Sequence, residues 1–372
     1  MEYPIVYITD NEYVDYTLVS IKSVLSTTKK NVKIYVICND VSDSNKERLK
    51  IHECIELKEY APARIRGYGR FKHVSASAYI KFDLPSIIPE DICLYIDGDT
   101  IAVKDITSIF DYDVSGHLAA VMEDFGRSYI WPAKMGIDPF YAGTMLLNLK
   151  KMRENNISDL LHLEKQRLGN EWNEMEVFNK VFMGKVVHIP IKYCVSFEKI
   201  KFSKHKEYRD VALYNNLYGT TYSNINQLLE DAAIYHFHGD NKQVYEHREV
   251  FEIVDSVEHR FLLWNAPRVF IFSNVCRFEA HKDFREAIAE LKIRHTDLLI
   301  FLNTAPWLTR FIEDIPPARV QTIHRFRRNA SGWWGLDEIL GLKEKTSRDY
   351  EILLLDNQGD ISSLQGELKA RD

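Results

Sequence analysis

Ile92-Cys93-Leu94-Tyr95-Ile96-Asp97-Gly98-Asp99 is the stretch on which the reading of this chain turns. A short apolar run that ends in turn residues is the pattern of a buried strand followed by a loop. Asp97 and Asp99 stand at i and i+2, so on an extended chain both carboxylates project to one side. Gly98 lets the backbone bend closely around whatever they hold. Hard divalent cations take carboxylate oxygens and bridge to phosphate oxygens. A solvated turn is the alternative reading, because Asp-Gly is a common turn dipeptide.

Upstream of this stretch, strand and helix patterns alternate. Ile5-Val6-Tyr7-Ile8 is a buried-strand run that ends in Thr9-Asp10-Asn11. Val14, Leu18, Ile21 and Leu25 fall at helical spacing. Val32 to Cys38 is a second apolar run, and Ser44-Asn45-Lys46-Glu47 has the capping-box pattern that opens a helix. With Ile92–Ile96 as the third strand, the β-α-β-α-β order predicts an α/β fold with a parallel sheet covered by helices on both faces. Ligands of such sheets sit beyond the carboxyl ends of the strands, where Asp10 and Asp97 are placed.

Residues 118–250 are less regular. Gly143 to Leu149 reads as a strand, Ile157 to Arg167 and Asn173 to Phe182 as helices, and Val186 to Pro190 and Asp231 to His238 as further strands. The pattern breaks at Asn265-Ala266-Pro267. Strand-like runs then restart at Val269–Phe272 and Leu298–Leu302, with a helix over Phe278–Leu291 and a short strand over Val320–His324. The expected organisation is a domain over 1–265 and a smaller C-terminal α/β unit over 266–372. The tail from Ser347 onward is mixed in charge and reads as surface.

Composition narrows the function classes. The 372 residues are 45% hydrophobic and 27% charged, as in an ordinary globular protein, and the net charge of −6 favours no nucleic acid. No apolar run approaches the ~20 residues that span a bilayer. Met1-Glu2-Tyr3-Pro4 has no basic start and no signal-peptide core. The five scattered cysteines contain no CxxC pair, which fits reduced thiols in a cytoplasmic protein.

A second chemical signal is Ile234-Tyr235-His236-Phe237-His238-Gly239-Asp240-Asn241-Lys242. On a strand, His236 and His238 share one face. An imidazole can complete a metal site begun by two carboxylates, and a lysine after a glycine turn can meet a phosphate. Histidines that cap a strand are the bland alternative.

These motifs in this order resemble family 8 glycosyltransferases over about residues 1–245. The family includes glycogenin and bacterial lipopolysaccharide galactosyl- and glucosyltransferases. Asp10, Glu12 and Tyr13 fall where the family holds the nucleoside. Ala78-Tyr79-Ile80-Lys81 falls where it has Tyr-x-Arg or Lys facing the diphosphate. Asp97-Gly98-Asp99 matches its metal-binding DxD. Phe140 to Leu149 is similar to its F-N-A-G-v-l-l-i-N-L stretch, and Asn173 to Asn179 falls on its D-Q-D-x-x-N segment. His236-x-x-Gly239-x-x-Lys242 matches H-x-x-G-x-x-K-P, whose histidine is the third metal ligand. Three departures stand out. Tyr141 replaces an asparagine that contacts the donor sugar, Glu174-Met175 replaces Asp-Gln, and Gln243 replaces the final proline.

The resemblance implies a GT-A type nucleotide-sugar-binding fold with a mixed, mostly parallel central sheet. It implies a retaining transferase that uses a UDP-sugar donor, galactose or glucose favoured, and Mn²⁺, with Mg²⁺ as the other hard cation. Asp97, Asp99 and His236 would hold the ion, and Asp10, Glu12, Tyr13, Lys81, Gly239 and Lys242 the nucleotide. Lys242 would offset leaving-group charge, and Glu174 is the nearest carboxylate for the sugar face, with a helix-surface acid as the alternative. A nucleotide-sugar-binding protein that has lost transfer is the second reading. A sugar-nucleotide pyrophosphorylase predicts a basic glycine-rich loop after the first strand, but Thr9–Tyr13 is acidic.

Pro317 to Gly335 holds four arginines and two adjacent tryptophans and contains no Asp or Glu. Interleaved basic and aromatic residues suit an anionic lipid surface or a lipid-linked glycan acceptor. The protein would then be peripheral on the inner face of a membrane. A second-unit core with a basic rim is the alternative.

Overall fold

The computed structural model describes residues 2–68, 76–131, 136–137, 139–237, 250, 253–254 and 256–257, and strand residues 269–273, 298–302, 322–323 and 351–355. The chain divides into two compact units, Met1–Glu258 and His259–Asp372.

The first unit is built on a seven-stranded mixed sheet. Its strands are β1 (Tyr3–Thr9), β2 (Val32–Cys38), β3 (Ile55–Glu59), β4 (Ile92–Ile96), β6 (Ala119–Glu123), β7 (Phe140–Asn148) and β8 (Val186–His188). They lie in the order β3-β2-β1-β4-β7-β6-β8. A separate two-stranded ribbon pairs β5 (Thr100–Ala102) with β9 (Ile234–His236). Strands β3, β2, β1 and β4 run parallel, and β7 is antiparallel to both β4 and β6. Central strands are covered on both faces, so their residues are continuously apolar. Ile5, Val6, Tyr7, Cys93 and Leu94 are fully buried.

Strand β1 pairs with β2 on one side and with β4 on the other. The chain order reverses there, and such a switch point opens a crevice at the carboxyl ends of the two strands. Asp10 follows β1 and Asp97 follows β4, so the topology sets both acids at that crevice. The helix Val14–Thr27 buries Val14, Leu18, Ile21 and Leu25, the stripe that the spacing predicts, and Val24 beside it.

Several local expectations shift. The second helix begins at Asp43, and its cap is Ser42, whose side chain accepts from the Asn45 amide. Strand β7 begins earlier than expected, at Phe140, and Asn148 caps the helix Leu149–Glu154. Strand β9 ends at His236, and His238 lies outside the described residues. Strands β3 and β6 add to the expected set: Ile55 to Glu59 alternates with period two, and Leu118 to Met122 is a short apolar run. Ile55-Glu56-Leu57-Lys58-Glu59 sits half-buried at the sheet edge.

The second unit holds a parallel four-stranded sheet, in which Thr322–Ile323, Leu298–Leu302, Val269–Ser273 and Glu351–Leu355 lie side by side in that order. The strands are β10 (Val269–Ser273), β11 (Leu298–Leu302), β12 (Thr322–Ile323) and β13 (Glu351–Leu355). Within the tail, Glu351 to Leu355 forms β13 at the sheet edge and pairs along the whole of β10, an element the sequence reading did not expect; the rest of the tail lies outside the described residues. The expected helix over Phe278–Leu291, and Pro317–Gly335 apart from β12, lie outside the described residues.

Candidate active site

Asp97 and Asp99 do not continue β4 as an extended chain. They occupy the turn between β4 and β5, and the pairing of β5 with β9 sets Thr100 opposite His236. Residues 137 positions apart thereby meet: His236 Nε2 lies 3.0 Å from Asp99 Oδ1 and 3.9 Å from Asp97 Oδ2. One ligand atom from each of Asp97, Asp99 and His236 lies within 4.8 Å of the others. Two carboxylates and an imidazole are a donor set for a divalent cation. The solvated-turn reading does not fit, because Asp99 and His236 are buried.

The neighbours hold this geometry. Two glycines make room for it. A Cβ built on Gly143 would lie 2.4 Å from His236 Cε1 and 2.8 Å from Asp97 Oδ2. One on Gly98 would lie 2.5 Å from Thr17 Oγ1. Gly143 also accepts a backbone hydrogen bond from the Asp97 amide at 2.8 Å. The other imidazole nitrogen, Nδ1, lies 3.5 Å from Cys194 Sγ, a contact that helps to orient the ring. Burial disfavours the imidazolium, but Asp99 and Cys194 together outweigh it and hold the His236 pKa well above the usual histidine range.

Lys81 lies beneath this cluster. Its ammonium is 3.2 Å from Asp97 Oδ1 and 3.2 Å from Glu174 Oε1, and the residue is only 2% exposed. Burial opposes the charge, yet the two carboxylates outweigh it and leave the pKa raised. Tyr95 donates to Asp97 Oδ1 from the same side. Glu174 is not a helix-surface acid. It opens the helix Glu174–Phe182 behind the Asn173 cap and is 8% exposed. Its second oxygen, Oε2, is buried with no hydrogen-bond partner among the described residues. A buried, unsatisfied carboxylate oxygen is costly. An incoming electropositive group would relieve that cost.

These residues line one cavity of about 600 Å³. Asp10, Tyr13 and Ser77 form its end at β1, and Ser77 donates to Asp10 Oδ2 at 2.8 Å. Arg127, Trp131 and Tyr208 line another part of the wall. Lys81, Tyr141, Glu174 and Met175 also face it. Glu12 is exposed and does not belong to the wall. Gly239 and Lys242 lie outside the described residues. Sequence reasoning passed over Cys194, Tyr95 and the spatial role of Gly143. Only Gly143, next to small Ala142 in a strand pattern, carries a local hint of close approach.

A mixed, mostly parallel α/β sheet with an acid-lined cavity at its switch point is the GT-A architecture of glycosyltransferases. The description "Glycosyl transferase family 8" matches residues 4–243, and the chain belongs to that family. It is similar to glycosyltransferase GlyB of Streptococcus pneumoniae serotype 4, 27% identical over 186 residues, or 48% of this chain and 44% of that protein. It is also similar to general stress protein A of Bacillus subtilis strain 168, 26% identical over 142 residues, or 35% of this chain and 50% of that one. The chain thus matches about half the length of these curated relatives. Among solved structures, the galactosyltransferase LgtC, in complex with donor and acceptor sugar analogs, aligns with a TM-score of 0.56 at 20% identity over 69% of this chain and 95% of LgtC. The glycosyltransferase GlyE of S. pneumoniae aligns with a TM-score of 0.53 at 16% identity over 100% of this chain and 90% of GlyE. Both likenesses concern the fold.

Proposed function

We propose that this glycosyltransferase is metal-dependent and retaining, and that it moves a hexose, galactose or glucose favoured, from a UDP-sugar to a glycan acceptor. The observation that carries the reading is the convergence of Asp97, Asp99 and His236 in the switch-point cavity. Asp97, Asp99 and His236 would hold the cation, Mn²⁺ by family resemblance or Mg²⁺. Bound there, it supplies Lewis-acid charge to the departing diphosphate.

The chain's own residues account for the rest. Asp10 and Tyr13 take the nucleoside end of the cavity. Lys81 holds the Asp97 and Glu174 carboxylates in register through its two 3.2 Å contacts, and its charge offsets theirs. Glu174 lines the cavity, and its carboxylate would stabilise the positive face of the sugar as the glycosidic bond to phosphate breaks. Gly239 and Lys242 stand by resemblance as further diphosphate contacts. The reaction serves surface-glycan synthesis such as that of lipopolysaccharide, at the cytoplasmic side. The C-terminal unit, read as 266–372, contacts a lipid-linked acceptor or an anionic membrane face through Pro317–Gly335. Among the described residues no helix is long and apolar enough to cross a membrane.

The test is a panel of UDP-sugars with Mn²⁺ or Mg²⁺, scored for UDP release with and without glycan acceptors, with product anomeric configuration read by NMR. Release confined to UDP-galactose or UDP-glucose, dependent on a divalent ion and giving the donor's anomer, is the expected result. A second reading, donor binding without transfer, is favoured by Tyr141, whose ring meets His236 edge-on at 5.3 Å, and by Met175 in the cavity wall. Donor-dependent thermal stabilisation with no UDP release from any sugar would select it.

A further inference from the structure

The cavity extends beyond the metal cluster and Glu174 to a wall with a different character. Trp131 stands there with 46% of its surface exposed, a large apolar area to leave in water. An isolated exposed tryptophan needs no explanation. This one is braced. Its amide donates to the Gly126 carbonyl at 2.7 Å. Its ring meets His205 edge-on at 5.2 Å and lies 6.4 Å from the Tyr208 ring. Gly126 lets the indole and the Tyr208 hydroxyl pack close to the backbone. A Cβ there would approach Trp131 Cζ3 to 3.1 Å and Tyr208 Oη to 2.8 Å.

The bracing continues behind it. Phe125 stacks on Tyr214 at 4.1 Å and 13°, and tilts against Tyr208 at 5.3 Å. A rigid aromatic surface is thus held toward the cavity at no ordering cost when a ligand arrives. The wall also carries donors. Arg127, held by Glu176 at 3.2 Å, and Lys199, held by Glu198 at 3.0 Å, both line it. Their pairing removes net charge but leaves N–H groups that can meet neutral hydroxyls.

A flat apolar ring flanked by hydrogen-bond donors matches a pyranose, which has an apolar C–H face and a rim of hydroxyls. We propose that Trp131 is the platform of the acceptor subsite, where the terminal pyranose of the acceptor stacks on the indole and its hydroxyls meet Arg127 and Lys199. The proposal rests on the transferase reading, because it places a second sugar in the cavity that holds the donor.

The experiment uses the full chain with Mn²⁺ and UDP, and the methyl pyranosides of glucose, galactose and N-acetylglucosamine as probes. Saturation-transfer NMR from protein aromatic protons should label the ring C–H protons of at least one probe. Trp131→Ala should abolish that labelling, and Trp131→Phe should retain it. In the transfer assay, Trp131→Ala should raise acceptor KM about tenfold more than donor KM, and Trp131→Phe should recover most of the loss. Equal labelling by wild type and Trp131→Ala overturns the proposal, as does no labelling of any probe by wild type. A loss in Trp131→Ala that falls equally on donor and acceptor KM also overturns it. Absence of UDP release from wild type with every donor would instead count against the transferase reading, and the labelling experiment would still decide the subsite.

Discussion

Replacing Asp97 or Asp99 by Asn leaves the shape of the site and removes one anionic ligand. Turnover should fall by at least about 10²-fold for each, and His236→Ala should act the same way. Circular dichroism should show the fold intact. Wild-type activity of all three variants in the presence of chelator would end the metal mechanism. Glu174→Gln tests a different charge. The amide keeps the volume but cannot balance Lys81 or face a positive sugar. We expect kcat to fall about 10²-fold with donor KM little changed, by analogy with removal of a single charge-stabilising group. A rise in KM alone would make Glu174 a ground-state contact. The buried Oε2 is the observation that separates these outcomes from those of a surface acid.

At the scale of elements, the site depends on two strand pairings that lie far apart in sequence. The β5–β9 ribbon delivers His236, and β7 presents Gly143 to β4 where a side chain does not fit. Gly143→Ala should therefore push His236 and Asp97 apart. A shift of about 1 Å at a reacting site costs about 10²-fold, so activity should drop by that order, with about 1–3 kcal/mol of stability lost to overpacking. Wild-type kinetics would mean that the strand relaxes around the methyl group.

The same pairings mark the limit of what the sequence discloses. Asp97, Gly98 and Asp99 are legible because a buried strand ends in them, and β1, β2 and β4 because central strands are continuously apolar. His236 becomes legible only once it is set beside the carboxylates. Cys194 and Tyr95 are ordinary core residues by pattern, and their contacts with the site arise from tertiary pairing. Strand β3 alternates Ile and Leu with charges and β13 is a short apolar run, so both patterns are present in the sequence, but each spans only five residues. The capping pattern at Ser44 is two residues out of place because Ser42 competes for the same role.

At the scale of the whole molecule, the two units offer separable tests. Pro317–Gly335 carries four arginines and no acid. If it meets an anionic surface, binding to phosphatidylserine vesicles should weaken as salt shortens the Debye length below about 8–10 Å. Replacing Arg325, Arg327 and Arg328 by Gln should then release the protein. Equal vesicle binding by wild type and the triple variant would sink the membrane reading. The donor test concerns the first unit. If Asp97, Asp99 and His236 hold a cation that also meets the donor, donor and ion should bind as a linked pair. At a UDP-hexose concentration of about 100 Kd, linkage adds about 2.7 kcal/mol to the folded state. For a unit of this size that is a rise of roughly 5–11 °C in Tm. The rise should appear with Mn²⁺ and vanish in excess EDTA, and Asp99→Asn should abolish it at the same donor concentration. Equal stabilisation with and without the ion would show that the nucleoside end, at Asp10 and Tyr13, carries binding alone. The acids after β4 would then need a role other than holding a metal.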